Sequence, residues 1–194
     1  MSLRDSFKFL RTFVRHPLRT GAVLPSSPYL SRALVAGLDL KPGDLVLEYG
    51  PGTGPITKVL QERLQPGVRY LGIERDPGFH RLLVQRFPDL DFHLGSVEDV
   101  SRILEDRDLP APRVIVSGLP FASLPPSVQD RIIEGTKSIL PKDGEFRTFQ
   151  YVHAYRLPAA LRFRKIMTGC FSEFRRIGPI FRNVPPAYVL AYRP

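Results

Sequence analysis

Residues 45–55 read Leu-Val-Leu-Glu-Tyr-Gly-Pro-Gly-Thr-Gly-Pro, an apolar run closed by an acid and then glycines at alternate positions. Gly50, Gly52 and Gly54 let the backbone turn sharply, and they let a ligand lie on the main chain because no Cβ stands in the way. A second apolar run, Tyr70-Leu-Gly-Ile, ends in Glu74, twenty residues beyond Gly54. In a nucleotide-binding βαβ unit, an acid at that distance accepts the ribose hydroxyls. Strand, glycine turn, helix, strand and acid together predict a site for an adenosine-containing cofactor. The dinucleotide fingerprint G-x-G-x-x-G is not met, since the third glycine comes one residue early, and the P-loop pattern G-x-x-x-x-G-K-[ST] is absent.

The chain around this turn alternates in period. Strands are predicted at 45–48, 69–73, 91–94, 113–117 and 145–151. Helices are predicted at 55–65, 77–87, 97–106 and 126–140, with a short one at 29–38 ahead of the first strand. Such alternation predicts an α/β fold, a Rossmann-like, doubly wound and mainly parallel sheet. The tail changes character: a helix at 155–167 and a strand at 171–177 precede a proline-rich loop and a strand at 187–192. Two strands with no helix between them predict an antiparallel hairpin at the sheet edge, completing seven strands.

With 194 residues the chain suits one catalytic-size domain, here residues 20–194, preceded by a basic segment over residues 1–19. In residues 2–15, Leu3, Phe7, Phe9, Leu10, Phe13 and Val14 fall on one side of a helix. Arg4, Lys8, Arg11 and Arg15 fall on the other, the pattern of an interfacial membrane helix; packing on protein is the alternative. Net charge is +9, and it is unevenly spread: residues 39–108 hold 13 of the 19 acids, whereas residues 147–194 hold nine basic residues and one acid, Glu173. An anionic partner is expected, a phospholipid surface or nucleic acid. The lone Cys170 excludes an internal disulfide, and the four histidines show no metal-ligand spacing, so no metal is expected. No window of 18 consecutive apolar residues exists to span a bilayer, and the basic N-terminus has no signal-peptide core. The expected location is the cytoplasm, peripherally on the inner face of the membrane.

The E-x-G-x-G-x-G run at a strand end resembles the cofactor motif of class I S-adenosylmethionine-dependent methyltransferases. The resemblance implies that Glu48, with the backbone of residues 50–54, holds the methionine moiety and that Glu74 takes both ribose hydroxyls. It extends the cofactor set to Tyr49, Thr53, Arg75, Ser96, Val97 and Ser117. The fourth strand ends in Ser117 and opens into Gly118-Leu119-Pro120-Phe121, where amino-group methyltransferases keep an N/D-P-P-Y/F loop. There, carbonyl oxygens accept amine hydrogens while an aromatic ring walls the site and faces a nitrogen that becomes cationic. Ser117 replaces the usual amide or acid, so the Gly118 carbonyl carries more of the anchoring; a plain strand-to-helix loop is the structural alternative.

This loop, together with Thr-Gly-Ala-Val-Leu-Pro-Ser-Ser at 20–27 and Arg-Asn-Val-Pro-Pro-Ala at 182–187, resembles the small bacterial phospholipid N-methyltransferases. The resemblance covers nearly the whole chain. It implies methylation of the head-group amine of phosphatidylethanolamine, in some members up to phosphatidylcholine, or of relatives such as ornithine lipids. Tyr151, Tyr29 or His153, directly or through water, or water alone, would receive the proton, and Phe121 with Tyr151 would hold methylated intermediates. Arg182, and after it Arg156, would bind the lipid phosphate, while Arg162, Arg164 and Lys165 face membrane phosphates or water. A second resemblance is to the ribosomal RNA adenine dimethyltransferases, whose E-x-G-P-G-x-G-x-[LI]-T turn is close to residues 48–57. That family has an asparagine where this chain has Ser117, and it appends a helical RNA-gripping domain. A third reading is a non-catalytic cofactor-binding protein at a membrane.

Overall fold

The computed structural model describes residues 26–194. The helix expected over 2–15 and the greater part of the 20–27 segment lie outside the described residues.

Among the described residues, six α-helices and seven strands follow one another: α1 (Pro28–Val35), β1 (Leu45–Tyr49), α2 (Pro55–Gln61), β2 (Arg69–Glu74), α3 (Pro77–Arg86), β3 (Asp91–Leu94) and α4 (Val100–Asp106), then β4 (Val114–Ser117), α5 (Pro126–Ile139), β5 (Glu145–Tyr151), α6 (Pro158–Cys170), β6 (Glu173–Ile180) and β7 (Ala187–Arg193). Prolines open five of the six helices, where a missing N–H costs nothing because the first-turn donors have no helical acceptor. That placement explains why the last helix starts at Pro158 and not at residue 155. The expected helix at 97–106 instead begins with a short 3₁₀ turn, Val97–Asp99, capped by the Ser96 side chain.

The strands form one sheet in the order β3-β2-β1-β4-β5-β7-β6. The first five run parallel, and β7 inserts antiparallel between β5 and β6. The reversed ending is thus a β6–β7 hairpin joined to the sheet through its second strand. Strand order reverses between β1 and β4, so a crevice opens beyond their carboxyl ends, the position where open α/β sheets bind ligands.

β1 is buried on both faces, which is why it reads as an unbroken apolar run. Leu45, Leu47 and Tyr49 face one core layer with Ile132, Ile133 and Phe163 of α5 and α6. Val46 faces the other, with Leu30, Leu34, Val59 and Leu83 of α1, α2 and α3. Glu145 and Arg147, both buried in β5, are paired with each other. Arg147 of β5 donates to Glu145 at 2.8 Å and caps the C-terminal end of α1 through the Leu34 and Ala36 carbonyls. Burial pushes the Glu145 carboxyl up, but bonds from Arg147 and Arg193 hold it below the ordinary carboxylate range. β6 is the exposed edge and carries Arg175 and Arg176, charges that discourage pairing with another chain.

Candidate active site

At the switch point, the backbone after β1 extends the ladder by one bond on each side. Gly50 N–H donates to the Ile73 carbonyl at 3.0 Å, and Gly118 N–H donates to the Tyr49 carbonyl at 2.8 Å. The glycine turn and the loop after β4 are therefore fixed to one another. A Cβ at Gly118 would stand 2.8 Å from the Gly50 carbonyl oxygen, so only glycine lets the two loops lie this close. The Leu119 side chain then covers Gly50.

Gly50, Gly52 and Gly54 all have positive φ, the region that favours glycine. At Gly52 the missing Cβ would point into open space, and this is the part of the turn free to receive a ligand. Glu74, 7% exposed, closes the turn from β2. Its Oε2 accepts the Gly52 N–H at 2.9 Å and its Oε1 accepts the Asp76 N–H at 2.8 Å. Each carboxylate oxygen has a second lone pair, so two hydroxyls can still be accepted by the same group. An open glycine backbone beside such an acid fits the adenosine and amino-acid parts of S-adenosylmethionine. When bound, that cofactor supplies an electrophilic methyl group.

Glu48 lies in β1 just ahead of the turn, and its Oε1 has no hydrogen-bond partner among the described residues, which leaves that oxygen for the contact expected of it. It is fully buried; its Oε2 accepts Thr57 Oγ1 at 2.8 Å and the Tyr70 hydroxyl at 2.6 Å. Burial raises its pKa to about 7, against the lowering effect of the Tyr70 and Thr57 bonds. The side chain joins β1 to α2 and β2 and so holds the turn from below. Tyr49 and Val97 are likewise core side chains, and what they offer a cofactor is main chain alone. Thr53 is fastened from outside, its carbonyl accepting Arg86 Nη1 at 2.9 Å. Ser96 caps the turn after β3, and Arg75 is exposed beside Glu74.

Ser117 is also fully buried. Its Oγ accepts the Leu119 N–H at 3.2 Å, which shapes the loop after β4, while its carbonyl accepts Thr148 Oγ1 at 3.3 Å. Phe121 departs from the aromatic wall expected of it. Its ring is 1% exposed and stacks on Phe163 of α6 with centroids 4.2 Å apart, so it packs the core and does not wall the site. The acceptor edge of the loop is left to the Gly118 main chain, Leu119 and Pro120, all partly exposed.

Gln129, which the sequence does not single out, holds that loop in place. It is fully buried on α5; its Nε2 donates to the Phe121 carbonyl at 2.5 Å and to the Leu124 carbonyl at 3.2 Å. Its Oε1 accepts Arg162 Nη1 at 3.1 Å, and Arg162 also forks onto Asp130 at 2.7 Å. Arg162 is thus an internal tie and not a free membrane cation. Arg164 is similarly engaged, donating to Gln150 Oε1 at 2.5 Å and lying 3.6 Å over the Tyr155 ring.

Beyond β5 the ring of Tyr151 stacks on His153 with centroids 5.6 Å apart, and burial pushes the Tyr151 hydroxyl up to about 12. The β6–β7 loop arrives at the same edge, because Ala187 pairs with Tyr151 and Val152 N–H donates to the Pro186 carbonyl at 2.8 Å. There Asn183, 2% exposed, accepts the Ser27 N–H on Oδ1 at 2.9 Å and donates Nδ2 to the Pro185 carbonyl at 2.6 Å. Arg182 lies 4.9 Å over the Tyr29 ring. Two segments far apart in sequence, 26–29 and 181–186, therefore meet at the edge of the sheet where β5 ends. Arg156 is exposed in the turn before α6. Among the described residues, no group of three His, Cys, Asp or Glu side chains is placed to hold a metal ion.

A seven-stranded sheet in this order, with the open glycine turn and Glu74 at its switch point, defines a class I S-adenosylmethionine-dependent methyltransferase. The family model for protein-L-isoaspartate(D-aspartate) O-methyltransferase matches residues 3–155. An ornithine lipid N-methyltransferase of Singulisphaera acidiphila is 36% identical over 193 residues, 95% of this chain and 94% of the relative. A ribosomal RNA small subunit methyltransferase A of Thermotoga neapolitana is 31% identical, but the match spans 62% of this chain and 44% of that protein. Among solved structures, a TehB-like SAM-dependent methyltransferase of Corynebacterium glutamicum has the same fold, with a TM-score of 0.65, 15% identity and 99% of each chain covered. The chain belongs to the protein-L-isoaspartate(D-aspartate) O-methyltransferase (PCMT) family of S-adenosylmethionine-dependent methyltransferases that this model describes, and also to the aminolipid N-methyltransferases represented by its 36% identical relative. It is an N-methyltransferase that uses S-adenosylmethionine.

Proposed function

We propose that this enzyme methylates the head-group amine of a membrane aminolipid, either an ornithine lipid or phosphatidylethanolamine with its methylated intermediates, up to phosphatidylcholine. The observation that carries this reading is the similarity to an ornithine lipid N-methyltransferase over 95% of this chain. The RNA reading has weaker support, since the matching RNA methyltransferase extends well past the region shared with this chain.

The chemistry asks two things of the protein. The first is geometry: a well-oriented encounter removes roughly 7–11 kcal/mol of barrier. Glu74 and the glycine turn orient the donor, and the Gly118 carbonyl, held by Ser117 and Gln129, accepts an amine hydrogen and aims the nitrogen. The second is a neutral amine. A primary ammonium with a lysine-like pKa is neutral in about one molecule per thousand at pH 7, a handicap of roughly 4 kcal/mol. A desolvated crevice lowers that pKa by disfavouring the charged form. Tyr151, Tyr29 and His153 stand at the same end and are the candidates to pass the proton to water.

Arg182 is the cation for the substrate's phosphate or carboxylate, and its guanidinium fork suits either. Arg156 is the second candidate. Residues 2–15 are assigned to the anionic inner face of the membrane, where each basic residue adds about 1 kcal/mol of attraction. Defined liposomes containing ornithine lipid, phosphatidylethanolamine or neither, incubated with methyl-labelled cofactor, test the acceptor. Labelled lipid in the first or second sample is expected; label in none of them overturns the reading.

A further inference from the structure

The β6–β7 loop carries two of the most exposed large apolar side chains among the described residues, Phe181 at 73% and Val184 at 78%. Single exposed apolar residues are ordinary on a protein surface. These two are not isolated. Val152, at 38%, adjoins the loop through its bond to Pro186, and Tyr29, at 45%, lies under Arg182. Leu157, at 49%, follows in the turn that leads to α6, next to the exposed Arg156.

The loop is held stiffly. Buried Asn183 donates its N–H to the Ile180 carbonyl at 3.2 Å, in addition to its side-chain bonds to Ser27 and Pro185. A pinned turn that points Phe181 and Val184 away from the protein loses little conformational freedom on contact. Charge decides what it contacts. From residue 151 to the end of the chain the one acid is Glu173, which opens β6 at the end opposite this loop. The apolar tip is therefore flanked by arginines without a carboxylate from that segment, a combination complementary to an anionic lipid surface.

We propose that the β6–β7 loop is a bilayer-insertion wedge at the mouth of the active site, separate from the N-terminal basic segment. Phe181 and Val184 enter the acyl boundary of an anionic bilayer, while Arg182 and Tyr29 remain at head-group depth. The crevice between Tyr29, Tyr151 and the loop then opens onto the membrane, so a head group reaches Gly118 without leaving the lipid layer. This rests on the aminolipid reading above.

The chain has no tryptophan, so Phe181→Trp creates a single reporter at the tip. With vesicles of phosphatidylglycerol and phosphatidylethanolamine, its emission should shift to the blue and be quenched by acyl-chain-brominated lipid. The double variant Phe181→Ser, Val184→Ser should lose roughly tenfold or more of its vesicle partitioning, by the apolar area it no longer buries. Its melting temperature and S-adenosylhomocysteine affinity should match the parent protein. Vesicle-bound Phe181→Trp with water-exposed emission, partitioning unchanged in the double variant, or absence of vesicle binding by the parent each overturns the wedge. A blue shift that needs no lipid and grows with protein concentration also overturns it, in favour of contact between copies. Methyl transfer to aminolipid dispersed in detergent micelles is the separate check: its absence in the parent rejects the acceptor and leaves the vesicle results to stand or fall alone.

Discussion

The Glu74 carboxylate accepts the Gly52 N–H at 2.9 Å, so the acid that ends β2 also fastens the middle of the glycine turn after β1. One side chain thus sets the shape of the cofactor cradle and offers its remaining lone pairs to the ribose. Glu74→Ala should lower S-adenosylhomocysteine affinity by about ten- to a hundredfold, the worth of one or two hydrogen bonds to a charged group. Calorimetric titration measures this; unchanged affinity would remove Glu74 from the cofactor site.

Gly118→Ala places a methyl group 2.8 Å from the Gly50 carbonyl oxygen. Backbone must move on one side or the other. Turnover should fall by tenfold or more, on the order of what small misplacements near a reacting centre cost. Cofactor affinity should fall with it, because the same displacement reaches the glycine turn. Kinetics and calorimetry on the one variant give both values.

Gln129→Leu leaves the Phe121 and Leu124 carbonyls without their side-chain donor and Arg162 without one acceptor. A stability loss of about 1–3 kcal/mol is expected from the unsatisfied groups. Turnover should drop more than cofactor affinity, since Gln129 supports the acceptor loop and not the glycine turn. Denaturant midpoints and a comparison of kcat with S-adenosylhomocysteine affinity check the two halves.

Glu48 gives a pH dependence. Its native pKa of about 7 lies above the ordinary 4.5, so the folded chain keeps a proton that the unfolded chain has lost between those values. Unfolding free energy should therefore fall as pH rises from about 4.5 to 7 and level off above, by about 3 kcal/mol in order of magnitude. Glu48→Gln, which cannot ionise, should flatten that slope. Urea midpoints across the window, for both proteins, show whether it does.

Much of this site is legible in the sequence because local chemistry dictates it. Positive φ at Gly50, Gly52 and Gly54 and the acid ending β2 follow from residue type and spacing. What spacing does not reveal is direction. Phe121 sits where an aromatic wall is expected, yet a partner 42 residues later, Phe163, draws its ring into the core. Glu48 sits at the strand end, and its Oε2 is taken up by Thr57 and Tyr70, partners that the motif does not name. Gln129 and Asn183 carry no motif, and long-range bonds to backbone across the fold are what give them their roles. The order β7 before β6 in the sheet is equally non-local: a hairpin is readable, but which of its strands joins β5 is decided by packing.

The most direct measurement is the fate of a labelled methyl group. The purified protein, methyl-labelled S-adenosylmethionine, and a mixture of total lipid and total RNA are incubated together, and the products are separated by chromatography. Label in a lipid whose head-group amine has become methylated is the expected result. Label in RNA, or none in lipid under conditions where S-adenosylhomocysteine binds, would contradict it.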